Sequence, residues 1–82
     1  MNIYVGNLSR DVTDEDLQHA FEAFGQVTST TVIMNKFTGV SRGFGFVEMP
    51  VEAEARAAID GLGGKELKGR PLTVDVARPR RT

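Results

Sequence analysis

The segment Arg42-Gly43-Phe44-Gly45-Phe46-Val47-Glu48-Met49 carries the side chains best suited to recognition chemistry. Successive side chains of a strand point to opposite faces, so Phe44 and Phe46 share one side and Gly45, Val47 and Met49 the other. The second set reads as core. Two large rings then stand on the face away from the core, beside an arginine. Aromatic surface left open to water on a small domain marks a contact site. Flat rings next to a cation suit unpaired nucleic-acid bases, which offer a stackable face and a nearby phosphate.

The rest of the chain offers little catalytic or metal chemistry. Cysteine is absent, which rules out a disulfide framework and a thiolate metal site. The single histidine, His19, cannot build a zinc site alone and falls off the apolar stripe of its helix. Asp14, Glu15 and Asp16 are better explained by helix capping than by acid–base work. Gly61-Leu62-Gly63-Gly64 lacks the lysine and hydroxyl of a phosphate loop and follows a helix, so it reads as a helix stop. Gly43-Phe44-Gly45 lies inside a strand and is no dinucleotide fingerprint. No catalytic residue, metal ligand or cofactor is expected.

The 82 residues make one domain. A chain this small buries only about 60% of its unfolded surface. Ten basic and eleven acidic residues leave a net charge of −1. Distribution matters more than the sum. Acids cluster at Asp11, Asp14, Glu15, Asp16 and Glu22 and again at Glu52, Glu54 and Asp60, whereas Lys65, Lys68, Arg70, Arg78, Arg80 and Arg81 gather in the last part. This modest basicity predicts weak, salt-sensitive binding. No apolar run approaches the ~20 residues of a membrane span. No basic region, apolar segment and cleavage site precede Ile3, so a signal peptide is not expected either. A reducing cytoplasm is the expected location.

These side chains need elements to position them. Ile3-Tyr4-Val5 reads as a short strand with Tyr4 opposite in direction to Ile3 and Val5. Thr13 is a helix N-cap, and Asp16 approximates a capping box. Leu17, Ala20, Phe21 and Phe24 follow at helical spacing, and Gly25 is the expected stop. Val27 to Met34 is β-branched and predicts a second strand. A bulge near Ser29 would turn Val27, Thr30 and Val32 inward and Thr31 and Ile33 outward. Thr38-Gly39 predicts a turn joining this strand to the aromatic one. Pro50, Glu52 and Glu54 open a second helix with the stripe Ala55, Ala58, Ile59 and Leu62, which Gly61, Gly63 and Gly64 are expected to break. Lys65 to Gly69 is a connector or a tiny hairpin. Leu72, Val74 and Val76 alternate with Thr73, Asp75 and Ala77 as the last strand.

The order is β-α-β-β-α-β, an α+β ferredoxin-like sandwich with two helices on one face of a four-stranded antiparallel sheet. Right-handed crossovers place the first and third strands side by side. Tyr4, Phe44 and Phe46 then converge on the uncovered face, although forty residues separate them in sequence.

At this point the chain resembles an RNA recognition motif over nearly its whole length. Arg42 to Met49 resembles the longer signature of that family, with Met49 in place of its last aromatic. Ile3-Tyr4-Val5-Gly6-Asn7-Leu8 resembles the shorter one. The chain is also similar to small one-domain RNA-binding proteins of bacteria, the cyanobacterial group among them. The resemblance implies a domain over residues 1–77 with a short basic tail at 78–82. It implies that Tyr4 stacks under one base and Phe46 under the next. Phe44 lies against the sugars between them, and Arg42 pairs with a phosphate. Gly43 and Gly45 are implied to keep the inner face slim for the helices, and Asn7 to close the first signature. Thr31, Ile33, Glu48, Thr73 and Asp75 line the same face, and Ala77, Arg78 and Arg80 lie at the strand exit. The implied ligand is single-stranded RNA, with single-stranded DNA as a further candidate, no membrane and a monomeric state. Each stack is worth about 1–3 kcal/mol. Two stacks set against the ordering of a flexible strand predict a dissociation constant roughly micromolar or weaker.

Two other functions fit the element order. A peptide-binding domain of this fold tends to lose the aromatics, which are all present here. An acylphosphatase-like hydrolase needs a glycine-rich anion cradle after the first strand; Asn7 and Arg10 are there, the cradle is not. Phe37 in the turn is open to three readings: an extra stacking ring, a self-association point or a plain exposed side chain. The basic tail either folds over RNA or keeps the chain soluble.

Overall fold

A computed structural model describes residues 1–77 (of Ser41, the backbone only). The elements are β1 (Asn2–Gly6), α1 (Asp14–Glu22), β2 (Ser29–Met34), β3 (Ser41–Glu48), α2 (Glu52–Leu62), β4 (Glu66–Leu67), β5 (Arg70–Pro71) and β6 (Thr73–Val76). β1, β2, β3 and β6 form one sheet in the order β2-β3-β1-β6, with every pairing antiparallel. β4 and β5 form a separate small hairpin, which resolves the connector in favour of the hairpin.

Ile3, Val5, Val32, Val47 and Met49 from the sheet meet Leu17 and Phe21 of α1 and Ala55, Ala58 and Leu62 of α2 in one buried cluster. The alanines of α2 let that helix approach the sheet closely. Its opposite side is water-exposed, as the charge of Glu52, Arg56 and Asp60 requires.

α1 begins with a full capping box: the Asp16 N–H donates to Thr13 Oγ1 at 3.3 Å, and the Thr13 N–H donates to Asp16 Oδ2 at 2.9 Å. Lys68 on the β4–β5 turn reaches the same carboxylate at 3.0 Å. The Thr13 backbone bond, and then Lys68, hold the Asp16 pKa below its ordinary 3.8. The neighbouring Asp14 has a different task. Its carboxylate accepts the Val32 N–H at 2.7 Å, so α1 covers part of the sheet edge at β2.

Four local expectations need correction. The irregularity in β2 lies between Val32 and Met34, not near Ser29; Ser29 to Val32 pair in continuous register with Glu48 to Gly45. Val27 reaches the core from ahead of the strand, so no bulge is needed to turn it inward. Gly61 does not break α2 but lies inside it, where a Cβ would strike the ring of Phe24. It is the notch that lets Phe24, just past the end of α1, seat against α2. Finally, α1 ends at Glu22 with Ala23 as its cap, ahead of Gly25. Gly25 instead makes room for the Glu54 side chain, whose Oε1 accepts the Gln26 N–H at 3.0 Å.

Candidate nucleic-acid interface

Cross-strand partners share a sheet face, so the register alone builds the uncovered surface. Thr31, Phe46, Tyr4 and Asp75 form one row across β2, β3, β1 and β6. Phe44, Gly6 and Thr73 form the next. Ser29, Glu48 and Asn2 form a third, extended by Ala77, whose N–H donates to the Asn2 carbonyl at 2.9 Å.

The three rings make a compact cluster. Tyr4 and Phe44 stack with centroids 6.2 Å apart at 29° between planes. Phe46 meets Tyr4 at 6.0 Å and Phe44 at 6.2 Å, both edge-on. These separations fall in the range of favourable aromatic pairs. Phe46 is the most open of the three, at 38% exposure; Tyr4 and Phe44 are half-buried.

Gly6 explains how Tyr4 sits. A Cβ there would lie 2.5 Å from the Tyr4 hydroxyl and 2.9 Å from two ring carbons. The phenol ring therefore lies flat along β1 over the bare glycine backbone. Sequence reading gave Gly6 no role, although a signal was available: a residue two positions after an outward aromatic shares its face.

The glycines of β3 act differently from the expectation. Gly45 faces inward, but a Cβ there would meet the backbone of β2 rather than a helix: Val32 Cα at 3.0 Å, with the Thr31 carbonyl oxygen closer still. Gly43 has φ +87°, and a Cβ there would touch only the Leu8 carbonyl at an ordinary 3.7 Å. Its glycine meets a left-handed backbone, not a need for slimness. The Gly43 carbonyl accepts the Leu8 N–H at 2.8 Å.

Asn7 also has a local task. At φ +58° its amide donates to the Pro71 carbonyl at 2.7 Å and accepts from Arg70 at 3.0 Å. It clasps the exit of β1 to the β4–β5 hairpin, so both ends of its side chain are occupied. Ile33 falls in the register break and is half-buried, outside the continuous rows. Arg42 stands exposed at the entry of β3, and neither ion pair found among the described residues involves it. Glu48 is turned toward β2, accepting from Thr28 Oγ1 at 3.3 Å. Asp75 is exposed, and its Oδ1 accepts the Val76 N–H at 2.7 Å. Arg78 and Arg80 lie outside the described residues.

Phe37 is 91% exposed on a well-built turn. Asn35 Oδ1 accepts the N–H groups of Phe37 and Thr38 at 2.9 and 3.2 Å, and the Asn35 carbonyl accepts that of Gly39 at 2.7 Å. Among the described residues no group of three or more His, Asp or Glu side chains is placed to hold a metal ion, and no helix is long and apolar enough to cross a membrane.

A four-stranded antiparallel sheet backed by two helices, with aromatics on its free face from the two central strands, defines a sheet-platform domain. The chain belongs to the RNA recognition motif family, whose model matches residues 3–73. It is 51% identical over 80 residues to RbpB of Nostoc sp. (strain PCC 7120), covering 98% of this chain and 78% of that protein. It is 50% identical over 78 residues to glycine-rich RNA-binding protein 1 of Mycosarcoma maydis, covering 95% of this chain but only 45% of that relative. Among solved structures, the RNA-binding protein PG1 superposes with a TM-score of 0.93 at 51% identity, over 100% of this chain and 99% of that one. A Sxl-lethal protein–RNA complex superposes with a TM-score of 0.87 at 36% identity, over 93% of this chain and 47% of that one.

Proposed function

We propose that the open sheet face binds single-stranded RNA by stacking unpaired bases on Tyr4 and Phe46. Phe44 lies against the sugars between them, and Arg42 takes a phosphate. The observation that carries this reading is the aromatic cluster itself: three rings within 6.2 Å on a sheet face that none of the described elements covers. Stacking needs only a base's π-face, so matched single-stranded DNA is a second ligand of the same surface. RNA-binding relatives and an RNA complex among the structural neighbours support the reading. The domain acts by binding, as a monomer in the cytoplasm, and breaks no covalent bond. Covering exposed bases suits a chaperone or a post-transcriptional regulator. At the strand exit the Ala77 backbone and the Arg78 side chain meet a base edge.

Titration of labelled protein with a randomised short RNA, followed by NMR, tests the reading. Shifts should centre on Tyr4, Arg42, Phe44 and Phe46. Phe46→Ala should weaken binding about 5- to 150-fold, the loss of one stack, while the amide spectrum keeps its dispersion. Unchanged affinity in a folded variant would remove the site.

A further inference from the structure

Beside the aromatic cluster, Tyr4, Phe46, Asp75, Val76 and Ala77 line an open pocket of about 330 Å³. Its floor is the pair Tyr4 and Phe46, centroids 6.0 Å apart. Asp75 is the cross-strand partner of Tyr4, so its carboxylate stands on the same face at the side of that floor. Oδ1 accepts the Val76 N–H at 2.7 Å, which orients the group. The other carboxylate of this face, Glu48, stands in the next row, near the Thr28 hydroxyl ahead of β2, and does not line the pocket. Among the described residues Asp75 is therefore the carboxylate that lines the pocket, beside a base stacked on Tyr4; each of its oxygens has two lone pairs, so Oδ1 can accept from a base as well as from Val76.

An ionised carboxylate only accepts hydrogen bonds, and its two oxygens match two parallel donors. The pairing edges of the four bases differ in that respect. Guanine presents N1–H and the 2-amino group side by side. Adenine and cytosine each set one amino donor beside a ring-nitrogen lone pair. Uracil sets one N–H between two carbonyl oxygens. A carboxylate gains two donors from guanine; with each other base it meets an acceptor as well. In an unstacked strand the pairing edge is free to be read in this way.

We propose that Asp75 makes this pocket selective for guanine, through paired hydrogen bonds from N1–H and the 2-amino group. The inference rests on the single-stranded RNA reading above and adds the base that the surface prefers. Stacking supplies a sequence-tolerant part of the affinity, and Asp75 supplies the discrimination.

The test uses the full chain and short uridine-rich RNAs carrying one central guanosine, inosine, adenosine, cytidine or uridine, with affinities read by fluorescence anisotropy. Inosine keeps N1–H and lacks the 2-amino group. The wild-type protein should bind the guanosine strand about tenfold or more tightly than the other three natural bases, with inosine in between. Asp75→Asn keeps the size of the side chain and the acceptor for Val76 N–H but replaces one acceptor oxygen with a donor. It should abolish the guanosine–inosine difference and leave the uridine strand within about twofold of wild type. Equal wild-type affinities for all strands, or a variant that keeps the guanosine–inosine difference, would overturn the selectivity while leaving RNA binding standing. Failure of every strand to bind would overturn the RNA reading and the selectivity with it.

Discussion

One added methyl group, placed in turn on the two faces of the sheet, separates the fold from the binding surface. At Gly45 an alanine Cβ meets Val32 Cα at 3.0 Å and the Thr31 carbonyl more closely still. Ordinary carbon–carbon contacts lie at 3.5–4.0 Å, so β2 would have to part from β3 by roughly 0.5–1 Å. Backbone cannot swing aside as a side chain does. Overpacking of this kind costs about 1–3 kcal/mol. Glycine-to-alanine exchange at a compatible site stabilises by about 0.4–1 kcal/mol through the unfolded chain, so the sign of the effect is diagnostic. Gly45→Ala should lower the midpoint of urea unfolding, and lower Tm by about 4–8 °C for each kcal/mol lost. At Gly6 the atoms nearest the same methyl all belong to the Tyr4 side chain, which can rotate where backbone cannot. Gly6→Ala should cost less stability than Gly45→Ala and weaken RNA binding about fivefold or more, the lower end of one stack. Differential scanning calorimetry and anisotropy on the two variants decide the matter. A Gly45→Ala protein as stable as wild type would refute the claim that backbone approach, rather than helix packing, demands this glycine.

Arg42→Ala should reduce the slope of log affinity against log salt by about one phosphate equivalent; an unaltered slope would deny Arg42 a phosphate contact. The Thr30 hydroxyl is buried without a hydrogen-bond partner on the inward side of β2, so Thr30→Val should stabilise the protein by about 1 kcal/mol, seen as a higher urea midpoint; a lower one would mean the hydroxyl is satisfied in solution. The Asp16 pKa is depressed in the folded state, so its stabilising effect is complete above the unfolded value and fades as pH falls through the lower folded value. The stability difference between wild type and Asp16→Asn should therefore stay constant above about pH 5 and narrow toward acid; curves parallel down to pH 2 would show that the Thr13 and Lys68 contacts do not hold the carboxylate ionised.

Much of this protein was legible because its signals are local. Period-two alternation around Phe44 and Phe46 and helical spacing of Leu17 and Phe21 depend on backbone geometry within a few residues. The same holds for the Thr13–Asp16 box, which closes on itself within one turn. From these the element order and the convergence of Tyr4, Phe44 and Phe46 follow, since a two-helix, four-strand chain has few ways to bury its apolar faces. Tertiary structure decided whatever depends on a partner distant in sequence. The register break after Val32 reflects how β2 meets β3, and nothing within β2 marks it. Gly61 is a notch for Phe24 and Gly45 a site of strand contact because of what faces them; in sequence both are simply glycines. Asn7 could have turned to the ligand, but Arg70 and Pro71, more than sixty residues away, hold its amide. Asp75 acquires its meaning in the same way: alternation puts it on the outward face, and only the β1–β6 register sets it beside Tyr4. Local pattern thus determines which residues form the platform, while strand register and close packing decide which neighbours each of them has.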